Sequence, residues 1–331
     1  MHPKLYNAAA EGKVNDLQEF RDHLESVNWL LANAPLLLCR VNAKGSTPPH
    51  VSAREGRSEI VQALIESLDR GGQGDAENGE RDGDTALHEA MQFRHLDVAD
   101  VLVREDPQFS HPPNRSQETP LYLAAEKGLD DCVCRILNAC RAAPSYGGPG
   151  GRTALHAAVI FDSEGSTRAL LNWSRGRLAK AADEHGWTPI HYASRLGHEN
   201  RVRQIFLSDE RSKEMAYLTA EGDEKKTALH LAASHGHIDV VMFLYFHCPD
   251  CAEMVTSRGQ NIFILQLRMS ESILINQKDN DGIIPLHLLA ASSNYFQWGL
   301  VTDPRVETMA FNNENLTPLD IACSDKYGSP F

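Results

Sequence analysis

Histidine is the residue type in this sequence with the most scope for chemistry, since the 331-residue chain contains 15 of them. Imidazole is the commonest metal ligand and a frequent acid–base group. Six histidines, however, stand at the fourth place of one recurring tetrapeptide, usually Thr-x-x-His: His50, His88, His156, His191, His230 and His287. We expect each of these rings to hydrogen-bond across a turn and to tie its segment to the next repeat. His198 and His237 each follow a glycine and are interpreted as part of the same pattern.

Cysteine offers a second candidate site at Cys248-Pro-Asp-Cys251. The C-x-x-C spacing suits zinc ligands or a redox pair, but a structural zinc site needs four ligands, and the sequence has no second C-x-x-C pair. A thioredoxin-type role would need a βαβ context, which the pattern does not show. We therefore interpret the stretch as a turn that follows a helix.

Two further stretches resemble ligand-binding loops only in part. The glycine-rich residues 146–152 have Tyr146 and Arg152 where a phosphate-binding loop needs glycine and lysine. The acidic turns at 82–84 and 279–282 do not continue into the spacing of an EF-hand. Hydrolase, kinase and metalloprotease signatures are also missing. The sequence therefore predicts a protein with no catalytic, cofactor-binding or metal-binding residues.

The histidines are positioned by a unit that recurs about every 34 residues, a period typical of repeat proteins. The clear copies begin at Thr47, Thr85, Thr119, Thr153, Thr188, Thr227, Ile284 and Thr317. The threonine is expected to cap a helix, and Pro189 fits the first helical position of its copy. A glycine then ends this helix, a second apolar helix follows, and a turn-rich segment precedes each threonine.

This pattern resembles the ankyrin repeat over roughly residues 3–325. The resemblance implies an all-α solenoid of stacked helix-turn-helix units with protruding turns. We expect an N-terminal cap repeat and link at 1–46, regular repeats at 47–255, a degenerate repeat at 256–283, and C-terminal repeats at 284–331, the last one incomplete. Residues 69–80 are predicted to be a flexible insertion. The segment 259–283 is expected to be the weakest joint, because one helix of its pair looks shortened or lost.

The composition limits which classes of partner and which cellular compartment are expected. The formal net charge of -13 disfavours nucleic acid, because phosphate backbones repel an acidic chain. No apolar run approaches the ~18 residues of a membrane span, and the N-terminus does not resemble a signal peptide. Seven scattered cysteines fit a reducing compartment. We expect a cytoplasmic protein or, alternatively, one associated with the cytosolic face of the plasma membrane.

With no catalytic or ligand-binding signature, the chain is predicted to bind another protein. The binding surface would be the concave face and the finger turns of the solenoid. The ends of the first helices differ between copies, and some carry apolar residues. The predicted contacts are Phe93, Ile160, Phe161 and Leu196, with Trp187 at a finger tip. The alternative for Phe93 and Phe161 is that the rings fold back onto their own repeats. Trp187→Ala is predicted to weaken partner binding with little loss of fold.

Four stretches also resemble the plant ankyrin-repeat membrane proteins of the accelerated-cell-death type. They are M-H-P-K-L-Y-N-A-A-A-E-G from Met1, G-W-T-P-I-H-Y-A from Gly186, C-P-D-C-A-E-M-V from Cys248 and D-N-D-G-I-I-P-L-H-L from Asp279. That family implies cytosolic repeats before a multi-span membrane domain, and a role in salicylic-acid-linked defence. The sequence stops at Phe331 without such a domain, which fits a truncated isoform or an incomplete product.

We therefore expect a non-catalytic protein–protein interaction scaffold in plant defence-type signalling. The alternative is the targeting portion of an ankyrin-containing enzyme, an S-acyltransferase or a ubiquitin ligase, whose catalytic part is absent.

Overall fold

The computed structural model describes residues 42, 45–71, 83–105, 112–139, 144–208, 210–260, 276, 278–291 and 306–323. The chain divides into two compact units, Met1–Ser174 and Arg175–Phe331. The cap repeat, most of the predicted insertion, much of the degenerate repeat and the last eight residues lie outside the described residues. The expected weakness of the segment 259–283 therefore stays a prediction.

Short and longer helices alternate in the first unit. They are α1 (Pro48–Arg54), α2 (Ser58–Gly71), α3 (Ala86–Gln92), α4 (Leu96–Glu105), α5 (Pro120–Glu126), α6 (Asp130–Ala139), α7 (Ala154–Ile160) and α8 (Glu164–Ser174). The prediction of an insertion at 69–80 is wrong for residues 69–71, which are helical. Leu64 and Leu68 keep helical spacing there, and no glycine interrupts the chain before Gly71.

Each short helix begins at the threonine of its repeat and ends before a left-handed residue. Thr119 has extended backbone angles (φ -93°, ψ 155°), and its side chain accepts the N–H of Tyr122, the third helical residue, at 3.2 Å. Proline stands in the first turn of α1 and α5, where a missing N–H costs nothing. Gly56 and Gly128 follow with positive φ, so the chain turns sharply into the longer helix.

The short helices pack on one another in the order α1, α3, α5 and α7, and the longer helices in the order α2, α4, α6 and α8. The core of the unit lies between these two layers. It contains many alanines with no exposed surface, among them Ala53, Ala90 and Ala124. Because alanine is small, adjacent helices approach closely along the stack.

The second unit repeats the pattern with more irregular connections. Its helices are α9 (Pro189–Leu196), α10 (Glu199–Phe206), α11 (Ala228–Ser234), α12 (Ile238–His247), α13 (Pro285–Ala291) and α14 (Pro318–Ala322). Short 3-10 segments lie at Arg177–Lys180, Glu210–Tyr217 and Pro249–Glu253. The strands β1 (Thr219–Ala220) and β2 (Lys226–Thr227) pair antiparallel, with Thr219 opposite Thr227. The prediction of an all-α repeat fold is confirmed apart from these short strands.

The C-x-x-C stretch lies at the end of α12. Cys248 and Cys251 are buried at the start of a 3-10 turn, as the sequence interpretation proposed. Burial raises the pKa of the Cys251 thiol to about 12. Both thiols are free, as are the other described cysteines. A thiol with a raised pKa is a poor nucleophile and a poor metal ligand, which favours a packing role.

Candidate interaction surface

In five of the repeat copies, the histidine at the fourth place connects its repeat to the next one. In the second described repeat, the N–H of Thr85 donates to Nδ1 of His88 at 3.0 Å. Nε2 of the same ring lies 2.9 Å from the carbonyl oxygen of Glu118. Because a carbonyl only accepts, Nε2 must carry the proton and donate it. Glu118 immediately precedes Thr119, so one ring fixes the start of its own helix and the start of the next repeat.

The same Nε2–H bond to a carbonyl recurs at four further histidines, where the sequence predicted such a bond. The donor–acceptor pairs are His50–Asp84 (2.9 Å), His191–Leu218 (3.1 Å), His230–Met254 (3.1 Å) and His287–Leu316 (3.1 Å). At His156 the other ring nitrogen behaves as in His88: the N–H of Thr153 donates to Nδ1 at 3.0 Å. In the Thr119 copy Tyr122 replaces histidine, and the threonine hydroxyl donates directly to the Gly147 carbonyl at 2.8 Å.

Burial favours the neutral form of three of these imidazoles. It lowers the pKa of His88 and His287, and that of His230 to about 4. The Nδ1 lone pair of His88 accepts a backbone N–H, so it is not available to a metal ion. Among the residues that the structure describes, no three His, Cys, Asp or Glu side chains form a metal-binding cluster.

A second set of histidines fixes the ends of the short helices. Nε2–H of His95 donates to the Arg54 carbonyl at 2.9 Å, and that of His237 donates to the Arg195 carbonyl at 2.8 Å. The sequence indicated His237 as part of the repeat pattern, whereas His95 was not predicted. The glycine that marks this place elsewhere is replaced by Arg94 in front of His95, so the signal was weakened.

Other polar contacts also join neighbouring repeats. The Arg54 guanidinium forms a two-pronged ion pair with the buried Glu89 carboxylate, at 2.9 and 2.5 Å. Asp130 accepts hydrogen bonds from Ser163 and Ser166 of the following repeat. Burial alone would raise the pKa of Asp130, but these hydrogen bonds lower it overall. Neither anchor was predicted, because the partners lie 33 to 36 residues apart in sequence.

The exposed side chains at the C-terminal ends of the short helices form what we call the helix-end surface of each unit. Phe93 is 49% exposed and Phe161 is 55% exposed in the first unit, and Leu196 is 43% exposed in the second. Ile160 is half-buried. Both phenylalanines are thus about half exposed, which leaves part of each side chain open to a partner.

Trp187 differs from this set. Its side chain is only 7% exposed and packs against Ala220, Leu231 and Tyr192. The expectation of an exposed finger-tip residue is wrong, because Trp187 lies at the base of the finger, next to the helix cap, where the following repeat covers it. Its backbone N–H also donates to the Asp183 carboxylate at 2.9 Å. Trp187 is therefore a packing residue. The expectation that Trp187→Ala would leave the fold nearly intact is withdrawn.

The finger turns of the second unit are joined by backbone hydrogen bonds. One backbone N–H of each finger donates to a carbonyl of the preceding finger. The pairs are Gly222 to His185, Ser257 to Glu224, Asn280 to Arg258 and Asn313 to Asp281, all at 2.8 to 3.0 Å. Within a finger, Asp279 accepts the N–H groups of the residues two and four places later. The turn-rich segment before the threonine was the sequence signal for these turns.

Comparison with known proteins agrees with this architecture. A family model described as ankyrin repeats, three copies, matches residues 17–111, 74–145, 121–211 and 177–253. These overlapping matches span more than half of the chain. The protein therefore belongs to the ankyrin-repeat family, whose fold is typically a non-catalytic module for protein interaction.

Several proteins share this similarity at modest identity. The chain is 28% identical over 235 residues to Neurogenic locus notch homolog protein 1 of Danio rerio, covering 68% of this chain and 9% of that protein. It is 27% identical over 197 residues to Protein ACCELERATED CELL DEATH 6 of Arabidopsis thaliana, covering 53% and 29%. The chain thus spans a minor part of these relatives. Animal and plant proteins match at similar identity, so the matches establish the repeat class and not the plant family.

A solved structure shows the same fold. The ankyrin repeat domain of Bcl-3, described as a unique member of the IkappaB protein family, superposes with a TM-score of 0.58 at 21% identity. The similarity covers 67% of this chain and 95% of that domain. None of the described helices is long and apolar enough to cross a membrane.

Proposed function

We propose that this protein is a non-catalytic scaffold that binds another protein through the helix-end surface of its repeats. The observation that carries the proposal is the exposure of Phe93 and Phe161 at equivalent places in two repeats of the first unit. A soluble protein gains by burying such rings, at about 25 cal/mol per Å² of apolar surface removed from water. Aromatic residues are also enriched among the side chains that dominate binding.

The surroundings of Phe93 support this proposal, because they hold the helix ends in place before any partner arrives. The Arg54 guanidinium carbon lies 6.0 Å from the centre of the Phe93 ring and is fixed by its ion pair with Glu89. His95 fixes the backbone at Arg54. A preorganised surface loses less entropy on binding, so more of the contact energy appears as affinity.

The nature and place of the partner are part of the proposal. The net charge of -13 supports a protein partner and disfavours nucleic acid. Free thiols at the five described cysteines support a reducing compartment, so we propose a cytoplasmic location, with association at the cytosolic face of the plasma membrane as the alternative.

Plant defence-type signalling is the finer proposal. The match to Protein ACCELERATED CELL DEATH 6 and the four stretches quoted above support it. The identity of a captured partner tests this step: a defence-signalling component would support it, and a partner from an unrelated process would contradict it. No observation in the described residues favours the alternative of an enzyme's targeting portion.

A capture experiment tests the main proposal. The full chain, a Phe93→Ala/Phe161→Ala variant and a Met242→Ala/Phe246→Ala control are immobilised and exposed to extract from the source tissue. Met242 and Phe246 are exposed apolar residues on α12, a longer helix of the second unit. Each lost phenyl contact should weaken binding about 10- to 100-fold, as for side chains that dominate an interface.

The expected result is a protein that wild type and control retain and the phenyl variant loses. Equal retention by the phenyl variant, at unchanged melting temperature, would remove the helix-end surface from the proposal.

A further inference from the structure

Arg94 occupies a backbone position that glycine fills in the neighbouring repeats. Its φ is 64°, and the equivalent Gly56 and Gly128 have φ of 72° and 67°. A side chain in the left-handed region is strained, and such residues cluster at functional sites. Asp162 follows the other exposed phenylalanine and has φ of 55°. The two repeats of the first unit with an exposed phenyl ring at this place are thus also those with a strained, charged residue after it.

The Arg94 side chain extends along the stack and lies exposed on the helix-end surface. One guanidinium nitrogen donates to the carbonyl oxygen of Lys127 in the next repeat, at 3.0 Å. That contact is with a neutral group. Among the described residues, no carboxylate pairs with Arg94, whereas Arg54 pairs with Glu89 and Lys127 with Glu126. The surface therefore carries one guanidinium charge that the described residues do not neutralise.

This charge lies between the two exposed phenyl rings. Helices α3, α5 and α7 pack in sequence, with Phe93 after the first and Phe161 after the third. Neighbouring helix axes are about 8–10 Å apart, so the two rings are separated by ~16–20 Å. An extended chain covers this distance in about five or six residues at ~3.3 Å each.

We propose that Phe93, Arg94 and Phe161 bind an extended segment of a partner protein in which one Asp or Glu lies between two bulky apolar residues. The apolar residues would be about five or six positions apart, one on each phenyl ring, with the carboxylate on Arg94. The inference rests on the interaction function proposed above and specifies the chemistry of the partner.

A displayed library of random 12-residue peptides, selected against the folded full chain, provides the probe. Peptides enriched on wild type are then measured on Arg94→Gly, on Phe161→Ala and on Asp162→Gly. Arg94→Gly removes the charge and also the backbone strain, so the melting temperature should rise by about 2 °C while binding weakens. Asp162→Gly is the matched control, because it removes the same kind of strain but a charge of the opposite sign.

We expect the enriched peptides to carry one acidic residue between two apolar residues. Their affinity should fall about 10-fold on Arg94→Gly and on Phe161→Ala, and should be unchanged or higher on Asp162→Gly. Replacing the acidic residue of the peptide by glutamine should have the same effect as Arg94→Gly. The absence of enriched peptides, enrichment without an acidic residue, or equal affinity for Arg94→Gly would overturn the inference. Capture of a protein by the phenyl rings would still stand in each of those cases.

Discussion

The buried histidine is the residue on which the repeat depends most. Nε2–H of His230 donates to the Met254 carbonyl, while Nδ1 accepts the N–H of Thr227 at 3.3 Å. A proton on Nδ1 would face a backbone donor and remove that bond. Only the neutral ring with its proton on Nε2 fits, and burial enforces this form by lowering the pKa of His230 to about 4. Histidine, which in the sequence alone suggests a metal site, therefore has a structural role in these repeats.

This lowered pKa predicts an acid-sensitive fold. Between pH 6.5 and 4, the unfolded chain takes up a proton at His230 that the folded chain does not. The free energy of unfolding therefore falls as the pH falls, by about 2 kcal/mol for this residue between pH 7 and 5. His88 and His287 shift in the same direction and add to the effect.

Urea unfolding of wild type and His230→Gln at pH 7 and pH 5 tests the prediction. The variant should be less stable at pH 7 but should lose about 2 kcal/mol less on acidification. An equal loss in both proteins, or an NMR titration of the His230 ring near pH 6.5 in the folded protein, would contradict it.

At the scale of the element, the turn between a short and a longer helix shows how neighbouring repeats constrain one another. Gly56 has positive φ, and a Cβ at this position would lie 2.5 Å from Nδ1 of His95. Gly128 has nearly the same φ, but a Cβ there would meet nothing within 4 Å. The following repeat has Ser163 in place of the histidine, which leaves the space open.

Alanine substitutions at these two glycines should therefore have different costs. Gly128→Ala should destabilise by about 1 kcal/mol, the cost of a left-handed backbone for a residue with a Cβ. Gly56→Ala should cost an additional ~1–3 kcal/mol, because the His95 ring must move and release the Arg54 carbonyl. Urea unfolding of both variants measures the difference. Equal costs would show that His95 does not hold the turn.

The sequence predicted the elements well because the repeat signals each helix start locally. Threonine, proline and histidine lie within four residues of one another, so their roles follow from helix capping. The errors concern contacts between repeats. Trp187 was placed at the surface because nothing nearby in sequence shows that Ala220 and Leu231 cover it. The ion pair of Arg54 with Glu89 escaped notice for the same reason.

At the scale of the whole molecule, the chain forms two units of stacked repeats. Stability in such stacks is approximately a sum over repeats and their neighbouring interfaces. Substitutions at exposed positions therefore do not disturb a single shared core. The ends of the short helices are thereby free to differ between repeats. Phenylalanine, lysine and glutamate occupy equivalent places in the first unit, and this variation provides a surface that can be specific for one partner.

Photo-cross-linking from the phenyl positions is the most direct test of the interaction surface. Benzoylphenylalanine replaces Phe93 or Phe161 in the full chain, and Phe246 in a control, in cells that express the protein. All three positions are exposed, so the added benzoyl group can extend into solvent and the fold should be retained. We expect the same partner protein to be cross-linked from positions 93 and 161 and not from position 246. Cross-links from position 246 alone, or no protein cross-linked from positions 93 and 161, would contradict the account.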